Sequence, residues 1–396
     1  MTQEVNCAPE NSLIGKASRK NIWYPEACYK VVQYAFNHMK IAATSKTVLA
    51  HMGLSLYVIA TMGLTVPATS EFYSCLSSTR CAMTEFLFSP YLDVNVPLPS
   101  LAPTTKSSSS TFDMNWLEPP TRPVPEGIKA LTLAFATGEC GNEHWNGVAG
   151  QAIADSNIKL FQRNGIDYVI STGGTAGIFT CSSEQGMEKF IARYGSRHLL
   201  GVDFDIESGQ SEMDIKNLLT QAQHATRLHP HLRLSFTLAT QVSAEDGKAT
   251  LNSLGKQVMK VISEVGLKNY FINLMVMNYG EAKPDNCVVE FSRCNMAASA
   301  ILVAENFSRE FSLPLRRIEL TPMIGVNDVT DNIFSLNDAR TLGRFVATNG
   351  LGGLHYWSLN RDQPCLSGLT AVSPTCSSLA GTNGLEFGLI FANNFR

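Results

Sequence analysis

The stretch Leu199–Gln210, LLGVDFDIESGQ, carries the pattern that decides the fold. Side chains of a β-strand alternate faces with a period of two. Asp203, Asp205 and Glu207 therefore fall on one face, and Val202, Phe204 and Ile206 on the other. An apolar face against helices and an acidic face turned inward suit a parallel strand of a β/α barrel. Barrel chemistry gathers at the C-terminal end of such strands. Carboxylates stacked ~6–7 Å apart in a partly desolvated cleft cannot all ionise without shifting one another. At least one is expected to stay protonated near neutral pH. Glu207, the outermost, is the natural proton donor, and Asp205 can share a proton with either neighbour. A general acid beside an orienting carboxylate is the equipment of glycosidic bond hydrolysis.

The flanking sequence repeats the strand–helix rhythm. Strands are predicted at Phe86–Val94, Ala130–Thr137, Ile166–Thr172, Leu200–Glu207, Leu232–Ala239, Tyr270–Met277, Arg317–Pro322 and Gly353–Ser358. Helices are predicted at Gly147–Asn164, Glu184–Tyr194, Ser211–Leu228, Thr250–Val265, Asn295–Phe311 and Leu336–Thr348. Eight strands alternating with helices point to the α/β class and a (β/α)8 TIM barrel over residues 86–396. The acidic stretch is the fourth strand. The polar run Thr104–Phe112 and the proline-rich Pro119–Pro125 are read as an elaborated first β/α loop.

Composition narrows the function classes. The chain has 396 residues, 44% hydrophobic and 16% charged, with a formal net charge of −3. Wholesale disorder is excluded, and without a basic excess nucleic acid is not an expected partner. Val48–Val66 carries no Asp, Glu, Lys or Arg and is followed by Val66-Pro67-Ala68. Translation from Met39 would make Met39–Ala68 a signal peptide, so residues 1–85 are read as a leader. Removal of that leader leaves no stable membrane partner and a secreted or periplasmic protein. Eight cysteines remain after Ala68: Cys75, Cys81, Cys140, Cys181, Cys287, Cys294, Cys365 and Cys376. Cys75 with Cys81, Cys287 with Cys294 and Cys365 with Cys376 are near neighbours. Cys140 and Cys181 remain, and four loop-stapling disulfides are expected. No C-x-x-C and no H-E-x-x-H occurs, so neither a metal nor another cofactor is expected.

The motifs taken together resemble family-18 glycoside hydrolases, the chitinases, in their bacterial form. The family's fourth strand reads D-x-x-D-x-D-x-E. Asp203, Asp205 and Glu207 match its last three acidic positions, and Leu200 stands at the first. Ser171-Thr172-Gly173-Gly174 matches the third-strand S-x-G-G, whose glycines suit a close backbone approach. Met275–Gly280, MVMNYG, matches a sixth strand that ends in Met and Tyr, with Asn278 where relatives often carry Asp. Trp357 matches the eighth-strand tryptophan that floors the sugar subsite.

The resemblance implies a retaining, substrate-assisted mechanism on chitin or N-acetylglucosamine oligosaccharides. In it Glu207 protonates the glycosidic oxygen and the substrate's acetamide attacks the anomeric carbon. Asp205 orients the acetamide N–H, Asp203 tunes Asp205, and Tyr279 holds the acetamide carbonyl. Trp357, Met277, Asn278, Gly173 and Gly174 are the implied substrate-binding residues. A monomer is expected. An endo-β-N-acetylglucosaminidase acting on N-glycans and a non-catalytic chitinase-like lectin share these features.

Overall fold

The computed structural model describes residues 86–96, 127–242, 250–365 and 371–395. The expected leader, the polar and proline-rich first loop, and Cys75 and Cys81 lie outside the described residues.

Nine strands form one parallel sheet: β1 (Leu87–Phe88), β2 (Tyr91–Asp93), β3 (Ala130–Ala136), β4 (Asp167–Gly173), β5 (Leu199–Ile206), β6 (Arg233–Ala239), β7 (Phe271–Met275), β8 (Ile318–Thr321) and β9 (Gly353–Leu354). β1 and β2 are two pieces of the predicted first strand. Pro90, which has no N–H to donate, lies between them. β1 pairs with β9 and β2 with β3, so the interrupted strand joins the two ends of the sheet into a barrel. β5 is therefore the fourth barrel strand. The ladder also ends early at β9, where the sequence predicts a strand to Ser358. Backbone bonds nevertheless continue past it, from His355 N–H to the Leu320 carbonyl and from Trp357 N–H to the Pro322 carbonyl.

Helices α1 (Gly150–Asn164), α2 (Glu184–Tyr194), α3 (Glu212–Leu228), α4 (Ser253–Val265), α5 (Met296–Phe311) and α6 (Leu336–Asn349) alternate with the strands, and α7 (Glu386–Ala392) follows β9. The sequence starts several of them locally. Ser211 and Ser335 form capping boxes with Asp214 and Asp338 at α3 and α6, satisfying free N–H groups of the first turn. The outward residues of β5 pack as expected: Val202, Phe204 and Ile206 are buried in the layer between strands and helices. Phe204 stacks on Phe236 of β6 at 5.3 Å. Among the described residues, no helix is long and apolar enough to cross a membrane.

Disulfides join Cys140 to Cys181, Cys287 to Cys294 and Cys365 to Cys376. The first ties the loop after β3 to the loop after β4, with Cα atoms 4.9 Å apart.

The N-terminal end of the barrel is closed by an ionic cluster that the sequence does not announce. The Arg233 guanidinium donates to Glu319 (Nε to Oε1, 2.7 Å) and to the Gly352 carbonyl, and it lies 3.3 Å from the centre of the Phe271 ring. His355 Nε2 is 3.4 Å from the other Glu319 oxygen. Burial alone would push the Glu319 carboxyl up, but Arg233 and His355 hold it down at about 2. Removing one partner of a buried pair strands the other charge, at about 3–5 kcal/mol. Glu319→Ala is expected to lose that much in urea unfolding at pH 7, and a loss below about 1 kcal/mol would contradict the assignment. Because the folded pKa is depressed, this stabilisation is complete above the ordinary glutamate pKa of 4.5 and fades as pH falls toward about 2.

Candidate active site

Parallel register brings the polar interior residues to common levels. Ser171 of β4 and Ser235 of β6 flank Asp203 of β5, and Gly173 and Thr237 flank Asp205 one level higher. Glu207 follows directly after the end of β5 and is half-buried. The two aspartates are buried at 2% and 4% exposure. The interior alternation read from the sequence thus holds through the top of the strand.

Asp203 is held as an acceptor. Tyr91 and Ser171 hydroxyls donate to its Oδ2 at 2.9 and 2.6 Å, and Ser235 and Thr237 hydroxyls to its Oδ1 at 2.7 and 2.8 Å. The Asn273 amide donates in turn to the Tyr91 and Thr237 oxygens, at 3.0 and 2.9 Å. With those lone pairs filled, both hydroxyls are free to donate to Asp203. Thr321 closes the chain by donating to the Asn273 carbonyl oxygen at 2.8 Å. Burial pushes the Asp203 carboxyl up, and the four hydroxyls oppose that rise.

Asp205 has no such cradle. One of its carboxyl oxygens is buried without a hydrogen-bond partner among the described residues. Burial, then the charges of Glu207 and Asp203, push its pKa well above the ordinary aspartate value. Glu207 is pushed up to about 7, first by burial and then by the negative charge of Asp328, with the Thr175 N–H opposing. The site therefore sets a carboxyl whose pKa is pushed well up beneath an acid poised near neutrality, as tuned acid–base pairs require.

An aromatic floor adjoins this column. The half-buried rings of Phe135 and Trp357 are 5.5 Å apart and nearly parallel, at 13°. Tyr91, which donates to Asp203, lies 5.9 Å from Trp357. The glycines serve backbone approach. A Cβ on Gly173 would meet the Asp205 carbonyl at 2.1 Å, and one on Gly174 would meet the Phe135 ring at 2.8 Å. Both glycines also have positive φ.

Met277, Asn278 and Tyr279 lie just beyond β7. Tyr279 is buried, its N–H donates to the Asn332 side chain, and its hydroxyl lies beside Thr240, with no well-formed hydrogen bond among the described residues. Asn278 turns to the loop after β8, where its amide donates to Asp328 at 3.1 Å. Leu200 has a structural explanation. The β4–β5 register slips between Tyr168 and Val169, skipping Leu200, which packs with Leu87, Ala130 and Val169. It belongs to that apolar layer rather than to the carboxylate column.

Tyr91, Phe135, Ser235, Thr237, Asn273 and Asp328 were not singled out from the sequence. Ser235 and Thr237 carried a usable signal, since they alternate with Leu234, Phe236 and Leu238 in β6. Asn273 likewise interrupts an apolar strand. Tyr91 and Asp328 carried none.

A parallel barrel with a graded carboxylate column at the C-terminal end of its fourth strand has the layout of a glycoside hydrolase. The comparisons agree. The chain is 24% identical over 323 residues to the probable bifunctional chitinase/lysozyme of Escherichia coli (strain K12), covering 76% of this chain and 33% of that protein. It is 26% identical over 268 residues to endochitinase 11 of Metarhizium anisopliae, covering 62% of this chain and 50% of that protein. The chain thus spans half or less of the length of these curated relatives. Its fold is that of the catalytic domain of a hyperthermophilic chitinase from Pyrococcus furiosus, with a TM-score of 0.58 and 24% identity over 78% of this chain and 95% of that one. No protein-family model matches the chain. Sequence likeness and fold thus both lie with proteins named as chitinases.

Proposed function

We propose that this chain is a secreted, monomeric chitinase that hydrolyses β-1,4 bonds between N-acetylglucosamine units with retention. The observation that carries the reading is the graded column of Asp203, Asp205 and Glu207 beside the Phe135–Trp357 floor. Its likeness to proteins named as chitinases supports the substrate class, and its disulfides support export.

In this mechanism a pyranose lies against the aromatic floor. Glu207, protonated up to about pH 7, gives its proton to the glycosidic oxygen. The acetamide carbonyl oxygen of the same sugar attacks the anomeric carbon as the leaving group departs, forming an oxazolinium ion. The nucleophile is part of the substrate, so the attack is intramolecular and loses little entropy. Asp205 passes its proton down to Asp203 and, now anionic, accepts the acetamide N–H and balances the positive charge on the ring. The Ser171 and Ser235 hydroxyls, which donate to Asp203 in the resting site, can turn to accept from it while it holds that proton. The buried Tyr279 hydroxyl holds the acetamide carbonyl on its line of attack. Glu207, now a base, takes a proton from the water that opens the oxazolinium ring. The family is a recognised exception to the two-carboxylate scheme.

The test is product analysis on N-acetylglucosamine tetramers to hexamers. Shorter oligomers released first as β-anomers support the reading. Tight binding without cleavage replaces it with a lectin, and absence of binding replaces it with an activity on N-glycans. Because the acid must carry its proton, kcat/KM is expected to fall about tenfold per unit above pH ~7. A profile flat to pH 9 would remove Glu207 as the acid.

A further inference from the structure

Two of the four hydroxyls around Asp203 are clamped from behind, and two are not. Asn273 of β7 lies level with Thr237 of β6 and is buried. Its amide N–H groups donate to the Tyr91 hydroxyl at 3.0 Å and to the Thr237 hydroxyl at 2.9 Å. The Thr321 hydroxyl of β8 donates to its carbonyl oxygen at 2.8 Å, which holds the amide nitrogen toward the other two. The Tyr91 and Thr237 oxygens are themselves 3.1 Å apart, close enough to bond each other. With an amide N–H on each, the lone pairs they would offer one another are taken. Both hydroxyl protons then point at Asp203, at 2.9 and 2.8 Å. Ser171 and Ser235 donate to the same carboxylate at 2.6 and 2.7 Å, with no such clamp among the described residues. Each Asp203 oxygen thus faces one fixed donor and one that can turn: Tyr91 with Ser171 at Oδ2, Thr237 with Ser235 at Oδ1.

We propose that Asn273 is a positioning residue for the reaction: its amide, held by Thr321, fixes Tyr91 and Thr237 as donors to Asp203 and so keeps the Asp203–Asp205 pair to a single shared proton. This rests on the chitinase reading of the same site. There the proton crosses from the Asp205 carboxyl to the Asp203 carboxylate, and the negative charge crosses the other way. One serine turns to accept the arriving proton while the two fixed donors stay in place. Asp203 therefore holds that proton against two persistent donors and returns it to Asp205 once the oxazolinium ring has opened. A second proton on the pair would leave Asp205 no way to become anionic. Donors aimed at Asp203 stabilise its carboxylate and keep that second proton off. The titratable groups facing Asp203 are Asp205, with Glu207 beyond it, and Tyr91 of β2. Burial and the two aspartates keep the Tyr91 phenol protonated. At this level β4, β6, β7 and β8 present uncharged side chains, and β3 carries no titratable group. Glu319 of β8 is taken up by Arg233 of β6 and by His355. His355 meets the Tyr91 ring edge-on at 6.2 Å, with its nitrogens turned to Ser89 and Glu319.

The experiment compares the full chain with Asn273→Leu and Thr321→Val. The lower titration of the aspartate pair is followed by carbon-13 NMR of the carboxyls, and the pH profile of kcat/KM on chitotetraose is recorded. Asn273→Leu is expected to raise the titration and the acid limb together by about half to one pH unit, because Tyr91 and Thr237 are then free to bond each other. The alkaline limb, set by Glu207, stays where it is. Thr321→Val leaves the amide in place but unheld. It is expected to move both readings the same way by less, and it carries the test if the leucine variant does not fold. A downward shift overturns the proposal, because the amide oxygen would then have faced the two hydroxyls and drawn their protons from Asp203. So does an unmoved titration with a fall in kcat/KM that is equal at every pH, the signature of a merely structural residue. If the wild type cleaves no chito-oligosaccharide, the chitinase reading fails, and the NMR titration still decides whether Asn273 governs the pair.

Discussion

Glu207→Gln is expected to end turnover while oligosaccharide binding survives. The glutamine keeps the shape and polarity of the side chain but has no acidic proton to give to the leaving oxygen. Loss of a general acid costs about 10²–10⁴ in rate, which is about 3–5 kcal/mol of transition-state stabilisation. The wild-type group is poised for its task, pushed up to about 7 by burial and by Asp328. In the proposed reading binding rests on other groups, chiefly the Phe135–Trp357 floor, and is expected to change little. The check is single-turnover kinetics on chitohexaose beside calorimetric binding of the same ligand. Wild-type rates in the variant would refute the assignment of the acid. Normal rates of structural unfolding alongside lost binding would instead mean that Glu207 serves mainly to hold the sugar.

The second large effect is expected at Asp205, where activity and stability should move in opposite directions. In the proposed mechanism Asp205 accepts the acetamide N–H, and an asparagine turned the wrong way presents N–H to N–H. It also lacks the charge that balances the oxazolinium ring. Asp205→Asn is expected to lower kcat by about 10²-fold or more, and a loss under tenfold, about 1.4 kcal/mol, would remove its role. The stability change follows from the raised pKa. Burial, Glu207 and Asp203 keep the folded Asp205 protonated well above its ordinary 3.8. Above that ordinary value the unfolded chain releases this proton readily while the folded chain does not. The wild type therefore loses stability as pH rises from 3.8 toward the folded pKa. Asparagine does not titrate, so the variant is expected to melt at a higher temperature than the wild type at pH 7. The difference should close below pH ~4. Equal melting temperatures at pH 7 would mean that Asp205 is not held protonated. The pattern is that of a site whose catalytic groups are costly to the folded state.

The barrel was legible because its signals are local. Each predicted strand and helix overlaps an observed element, and Glu184–Tyr194 agrees at both ends. Apolar alternation, capping serines and turn glycines act within a few residues, so a short window contains them. The column was legible for the same reason. Asp203 and Asp205 face inward because a strand alternates, whatever it pairs with. Near-neighbour pairing of Cys287 with Cys294 and Cys365 with Cys376 needed only chain proximity. Where the sequence misled, the cause was pairing. The first strand breaks at Pro90, and the register slip at Leu200 depends on how β5 lies against β4.

What the sequence by itself determined is the order of strands and helices, the inward face of β5 and the identity of its three acids. Tertiary structure alone decided how those acids differ. Asp203 meets Tyr91, Ser171, Ser235 and Thr237, which lie 112, 32, 32 and 34 residues away along the chain. Among the described residues Asp205 meets no donor at one oxygen, and Glu207 feels the charge of Asp328. The Arg233–Glu319 pair joins residues 86 apart, and the Phe135–Trp357 floor joins opposite ends of the barrel sequence. Alternation says which side chains enter a barrel, but strand pairing and register say which of them meet. A carboxyl's proton affinity depends on those meetings, on burial and on neighbouring charge, none of which a local window of sequence contains.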